Sequence, residues 1–250
     1  TIGLERLGGQ GGQGMILLDA IRLYAYDRQR ITPAAPGTAG LQAHYAFEGN
    51  TNDSTGNARH GTPMGHPTFA EGPLGQALKL RGLNDYVLIE SSFVLPVYSA
   101  ALWFRVEGGT GSQDLLSIHN SVGTSDMHGV LLEVGSNGQL RFLHRFPFTA
   151  GGSNLYTTTA YNEGAWHHVA VVKSADTMAL YVDGQQAGSA ADATQFDQPL
   201  GCITLGVLTR NQLLRYFSGS MDDVRIYDRA LSPEEVAGLA QVTLPFDKPF

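Results

Sequence analysis

The sequence predicts an all-β protein, two packed antiparallel sheets with one short C-terminal helix, and three observations carry that prediction. About a dozen short segments are apolar or alternate apolar with polar residues, the pattern of half-buried strands. Between them, at regular spacing, lie clusters of Gly, Asn and Asp, and the 250-residue chain holds 31 glycines. No helix-period pattern runs through the middle of the chain. The helix comes at the end, where Ser232, Pro233 and Glu235 supply an N-cap, a first-turn proline and the reciprocal glutamate of a capping box.

In order, the first strand runs from Leu41 to Glu48, followed by a turn-rich loop of Asn50, Asn52, Asp53, Ser54 and Gly56. Strands at 76–81 and 85–90 are joined by Gly82, Leu83 and Asn84. YSAALWFRV, DLLSIH, GVLLEV and QLRFLHRF come next, with Gly135-Ser136-Asn137-Gly138 as a hairpin turn. Residues 145–161 read as a loop. Trp166–Lys173 and Thr177–Val182 form a hairpin, Asp183-Gly184 makes the next turn, and the last pair is 203–207 and 221–227.

The net charge of −7 argues against the basic stripe that nucleic acid or an anionic membrane surface requires. No apolar run approaches a membrane span, and no signal peptide is visible. The single cysteine, Cys202, rules out an intramolecular disulfide and a cysteine-rich zinc site, and in GCITLGVL it reads as a small apolar strand residue. The glycines of GGQGGQG near the N-terminus lack the Gly-Lys-Ser/Thr of a phosphate-binding loop.

In the closing strand, alternation puts Asp222 on one face with Val224 and Ile226, and Met221, Asp223, Arg225 and Tyr227 on the other. A carboxylate in line with β-branched apolar residues needs hydrogen-bond donors, an opposite charge or a metal ion.

FSGSMDDVRIYDRALSPEEV resembles the closing motif of the laminin-G-like, concanavalin A-like jelly-roll domains. HYAFEGNTNDSTGNARHGT, GQALKLRGLNDYVLI and AWHHVAVVKSADTMALYVDGQQAG match the same family in the same order, so the resemblance spans roughly residues 41–240. It implies a concanavalin A-like jelly roll in which the opening and closing strands lie close together. It further implies a structural calcium ion on the convex side, held by Asp222, Glu48, the backbone carbonyl of Gly82 and Asp53. Without a metal, Asp222 would accept backbone amides or pair with an arginine. The motif DAIRLY at 19–24 echoes DDVRIY, so residues 1–28 read either as the last strand of a preceding jelly roll or as an edge strand of this sheet. Residues 29–40 are a linker, 41–240 the domain and 241–250 a tail.

Enzymes also use this fold, and a glucanase site needs two carboxylates on one face. No Glu-x-Asp-x-x-Glu occurs; Asp85 and Glu90 fall on opposite faces and read as solvated strand-end charges. His167 and His168 likewise point apart and cannot share an ion, and no catalytic Ser or Cys context surrounds the other histidines. Loop aromatics and arginines instead suggest a sugar- or protein-binding surface: Asp126, His128, Arg145, Tyr156 and Tyr161 in one set, Arg210 and Tyr216 in another. Phe146 and Phe148 read as residues packing loops onto the core. The expected function is a non-catalytic glycan-binding or adhesion module of an extracellular or cell-surface protein, beside other domains of a larger chain. An architectural spacer comes second, and a glycoside hydrolase or lyase third.

Overall fold

Alternating segments become strands in a computed structural model that describes residues 30–120, 127–149 and 151–247; the echo strand expected before residue 29 lies outside them. In chain order the strands begin with β1 (Arg30–Ile31), β2 (Leu41–Tyr45), β3 (Thr62–Met64), β4 (Thr68–Gly72), β5 (Gly75–Arg81) and β6 (Tyr86–Phe93). β7 (Tyr98–Val106), β8 (Gln113–His119), β9 (His128–Val134), β10 (Gln139–His144), β11 (Ser153–Ala160) and β12 (His167–Lys173) follow. The last are β13 (Thr177–Val182), β14 (Gln185–Ala191), β15 (Leu200–Leu205), β16 (Ser218–Tyr227), helix α1 (Pro233–Leu239) and β17 (Phe246–Asp247).

One sheet has seven strands in the order β11-β10-β9-β8-β15-β6-β3; the other has eight, β14-β13-β12-β7-β16-β5-β4 with β2 paired to β16. All pairings are antiparallel, and between the sheets lies a single large core that includes Phe93, Phe104, Phe142, Val171, Ile203 and Ile226. This is the predicted two-sheet antiparallel sandwich with one short C-terminal helix. A separate two-strand ribbon joins β1 to β17.

Besides the strands β3, β4 and β14, which were not expected, four features depart from the sequence expectation. First, the stretch read as a loop contains β11, an edge strand that buries Leu155 and Thr157 and exposes Tyr156 and Thr158–Ala160. With one covered face and few apolar residues, it carries little hydrophobic signal. Second, β5 and β6, neighbours in the chain, belong to different sheets, so Gly82-Leu83-Asn84 crosses the sandwich. Third, Asp85 is fully buried, where a solvated charge was expected. Arg81 donates to it at 2.5 and 2.7 Å, and the arginine and the His66 and Arg81 amides hold its carboxyl down to about 2.

The fourth is the closing strand. Between Asp222, opposite Trp103, and Arg225, opposite Ala101, β16 carries one residue more than β7, and Asp223 takes up the excess at φ 49°. This β-bulge resets the alternation. Met221, Val224 and Ile226 therefore enter the core together, and Asp222 does not share the face of Val224 and Ile226. The capping box forms as read: Ser232 accepts from the Glu235 amide and Glu235 from the Ser232 amide.

Candidate functional site

The bulge turns Asp222 towards the Gly72–Gly75 turn between β4 and β5. Its carboxylate accepts the Leu74 amide at 3.1 Å and the Asp223 amide at 2.7 Å, so the amide partners allowed for in the sequence are present. Glu48 reaches the same turn and accepts the Gln76 amide at 3.1 Å. A Cβ on Gly72 would meet Asp222 at 2.7 Å and one on Gly75, at φ +102°, would collide with Glu48, so both glycines are needed for the approach. Burial pushes Asp222 up to about 6, and the neighbouring charges of Asp223 and Glu48 add to the shift. Two carboxylates converging on a turn, with no Lys, Arg or His paired to either among the described residues, fit a hard cation such as calcium. No group of three or more His, Cys, Asp or Glu among the described residues could hold a metal, so further ligands would be backbone carbonyls and water.

The other two predicted ligands sit elsewhere. Gly82 packs on Ser218, upstream of Asp222 on β16. Asp53 organises its own loop, accepting the amides of His44, Thr55 and Arg59 at 3.0–3.2 Å. Nearby, Ser54 Oγ lies 2.9 Å from His44 Nδ1, and His44 Nε2 lies 2.6 Å from Asp223. Ser, His and Asp in contact have the types of a nucleophilic triad. Here, however, Arg225 neutralises Asp223 at 3.0–3.1 Å and Ser54 also donates to the His44 carbonyl, so the trio works as a clasp between β2 and β16.

The outer face of the seven-stranded sheet is built differently. On β10, Leu140, Phe142 and His144 point into the core, so Arg141, Leu143 and Arg145 point out. Register sets Tyr156 of β11 and Glu133 of β9 on either side of Arg141, and Asn154 and Leu131 on either side of Leu143. Arg141 Nε donates to Asn154 at 2.8 Å, and its guanidinium sits 5.9 Å from the Tyr156 ring centroid. Tyr156 is 57 % exposed. His128 stands beside them, lowered to about 4 by burial and by the positive charges of Arg145, Arg141 and Arg215, and is therefore neutral at physiological pH.

Towards the middle of this face the chain covers itself. After β15, Leu208 packs on Leu131 and Leu143, and Arg215, at φ 57°, donates to Glu133 at 2.6 Å and stands 3.9 Å from Asp114. Asp114 and Glu133 are register partners on β8 and β9. They are the two same-face carboxylates that a single-strand motif search does not find, because they come from different strands. Asp114 is fully buried, neither oxygen accepts a hydrogen bond, and burial followed by the Glu133 charge pushes it up to about 8.

Arg145, Tyr156 and His128 are thus brought onto one face, and Asp126 lies outside the described residues. Tyr161 packs instead against His167, ring centroids 5.0 Å apart, near the β9–β10 turn. Arg210 donates to Glu90 at 2.9 Å, and Tyr216 sits beside Tyr86 of β6, with three strands between β6 and β10. Arg141 and Glu133 were missed, although a charge within each otherwise apolar strand, QLRFLH and GVLLEV, was the available signal. Phe146 and Phe148 pack on Phe196 as expected, and Cys202 is buried in β15. An open cavity of about 680 Å³ at the Gly108–Gly111 end is lined by none of the predicted ligand residues, and its Glu107 is held by Lys79, Arg105 and Ser220.

Fold and site together define a two-sheet jelly-roll sandwich with one outer face left polar and open. The family model of the concanavalin A-like lectin/glucanases superfamily matches residues 81–237, more than half of the chain, and the protein belongs to that superfamily. Among solved structures it is similar to domain 4 of AbnA, a GH43 extracellular arabinanase from Geobacillus stearothermophilus, in complex with arabinotriose. That match has a TM-score of 0.66 and 25 % identity, covering 81 % of this chain and 99 % of that one. The binding domain of Paraclostridial Mosquitocidal Protein 1 matches with a TM-score of 0.62 and 18 % identity over 80 % of this chain and 52 % of its own, so this chain spans about half its length. The CBM40 of Ruminococcus gnavus IT-sialidase, bound to α2,3 sialyllactose, matches at 0.52 and 19 % over 59 % and 83 %. These last two share the fold. No curated protein sequence matches.

Proposed function

We propose that this protein is a non-catalytic carbohydrate-binding module of a secreted or cell-surface protein, with a structural calcium ion at Glu48 and Asp222. The observation that carries the reading is the ledge on the seven-stranded sheet, where the exposed Tyr156 ring adjoins the Arg141–Asn154 pair. An aromatic plate beside planar polar groups suits the apolar face and hydroxyls of a sugar ring. The arabinotriose complex of the arabinanase domain, which this chain matches over nearly its whole length, supports the same reading. Against catalysis by Asp114 and Glu133 stands their environment. They adjoin each other under Arg215, with side chains 0 % and 8 % exposed, whereas a sugar bond needs carboxylates about 5–9 Å apart in an open cleft.

The test is calorimetric titration with arabinotriose and a panel of plant and host oligosaccharides, using the protein and Tyr156→Ala. Binding lost in the variant, with its thermal midpoint retained, supports the ledge; no binding to any saccharide returns the domain to a spacer role. For the ion, millimolar calcium at a micromolar site should add about 4 kcal/mol of stability. Chelator should lower the unfolding midpoint of the protein and leave Asp222→Ala unmoved; equal midpoints with and without chelator would remove the ion.

A further inference from the structure

We infer that the saccharide bound at this ledge is acidic, and that its carboxylate seats against the guanidinium of Arg145. The inference rests on the carbohydrate-binding reading and names the class of ligand. Arg141, Arg145 and Arg215 share the outer face of β9–β10 and its covering loop, and among the described residues the only carboxylate that pairs with any of them from the open side is Glu133. Glu133 is already divided between Arg215 at 2.6 Å and Arg141 at 3.6 Å. Arg145 has no acidic partner among the described residues, and its Nε is buried without a hydrogen bond.

A guanidinium cannot lose its charge at physiological pH, and a buried N–H with no acceptor is costly, so Arg145 is a half-buried cation that lacks the carboxylate oxygens a guanidinium pairs with best. The described residues around it do not supply them. His128 is neutral, Leu143 is apolar, and Arg141 repels it. Asp114, the other carboxyl on this face, is buried behind Arg215 and holds its proton to about pH 8, so it does not offset the excess. The result is a local positive surplus on a chain whose net charge is −7. A uronate or sialate would bring a planar carboxylate to Arg145 and lay its ring along Asn154 and Tyr156, which neutral sugars could use only in part.

The experiment titrates trigalacturonate and sialyllactose, the two sources of a sugar carboxylate, against arabinotriose and lactose as neutral controls. It uses the protein, Arg145→Gln and Arg145→Lys. At least one acidic sugar should bind about tenfold or more tightly than the neutral sugars, and Arg145→Gln should remove that margin. Arg145→Lys should restore part of it, and the acidic affinity should fall with added salt. Thermal midpoints check that the variants fold. Neutral sugars binding as well as acidic ones, or an acidic affinity untouched by Arg145→Gln, would overturn the inference and leave the module reading in place. Failure of every saccharide, acidic and neutral, would overturn both.

Discussion

The two outer faces of the sandwich have opposite fates. Across the eight-stranded sheet, Ala101, Ala170, Val172, Tyr181 and Tyr227 form an apolar floor, and α1 lays Val236 and Leu239 onto it. Arg229 secures that helix through Glu235 at 2.7 and 2.8 Å and through the Pro36 and Ala39 carbonyls. Across the seven-stranded sheet the described residues cover only the centre, and the β9–β11 side keeps arginines, an exposed tyrosine and an asparagine. A face that the chain closes itself contributes stability. A face left polar at the edge contributes little, which frees its residues for recognition.

Substitutions should separate the two faces. The largest effect belongs to the closed one: Leu239→Ala should cost about 2–4 kcal/mol in urea unfolding and leave saccharide affinity unchanged. If affinity falls with stability, the faces are coupled and the contrast fails. Next comes the boundary. The folded protein holds Asp114 at about 8 against an ordinary 3.8, so the native state binds the extra proton. The stability that this group contributes is full below about pH 4 and is lost progressively as pH rises to about 8. Asp114→Asn should flatten that decline and gain about 1–3 kcal/mol at pH 8.5 relative to the parent, read from urea midpoints at pH 5 and 8.5. A parent whose stability is level between those pH values would show that the carboxyl ionises freely. Ser232→Ala removes the N-cap of α1 and should cost about 1 kcal/mol. Smallest in stability is Tyr156→Ala on the open face, within about 0.5 kcal/mol of the parent, with saccharide affinity lowered at least about tenfold.

Much of the fold was legible because it rests on local rules. The period-two segments, the Gly135–Gly138 turn and the Asp183-Gly184 turn with φ 49° and 79° all follow from residue types at fixed spacing. The capping box does too. β11 and β14 were not legible, since edge strands with few apolar residues are paid little by burial and carry no clear period. The site was legible only in part. Arg145, Tyr156 and His128 were singled out as types, but their meeting depends on the β9–β10–β11 register, and Arg141 between them passed as an ordinary strand charge.

Asp222 shows where the division falls. By itself the sequence determined that a carboxylate stands in an apolar closing strand and must be satisfied, since burying a charge is costly in any fold. It also determined the sandwich, its helix and the kinship. Which face Asp222 takes was decided by tertiary structure: the bulge at Asp223 reverses a two-residue alternation, and only pairing with β7 and β5 fixes it. The same holds for Asp114 and Glu133, nineteen residues apart in the chain and opposite each other in the sheet. Local chemistry is written in neighbouring residues, whereas a charge's partners across a sheet are set by register, which no single strand contains.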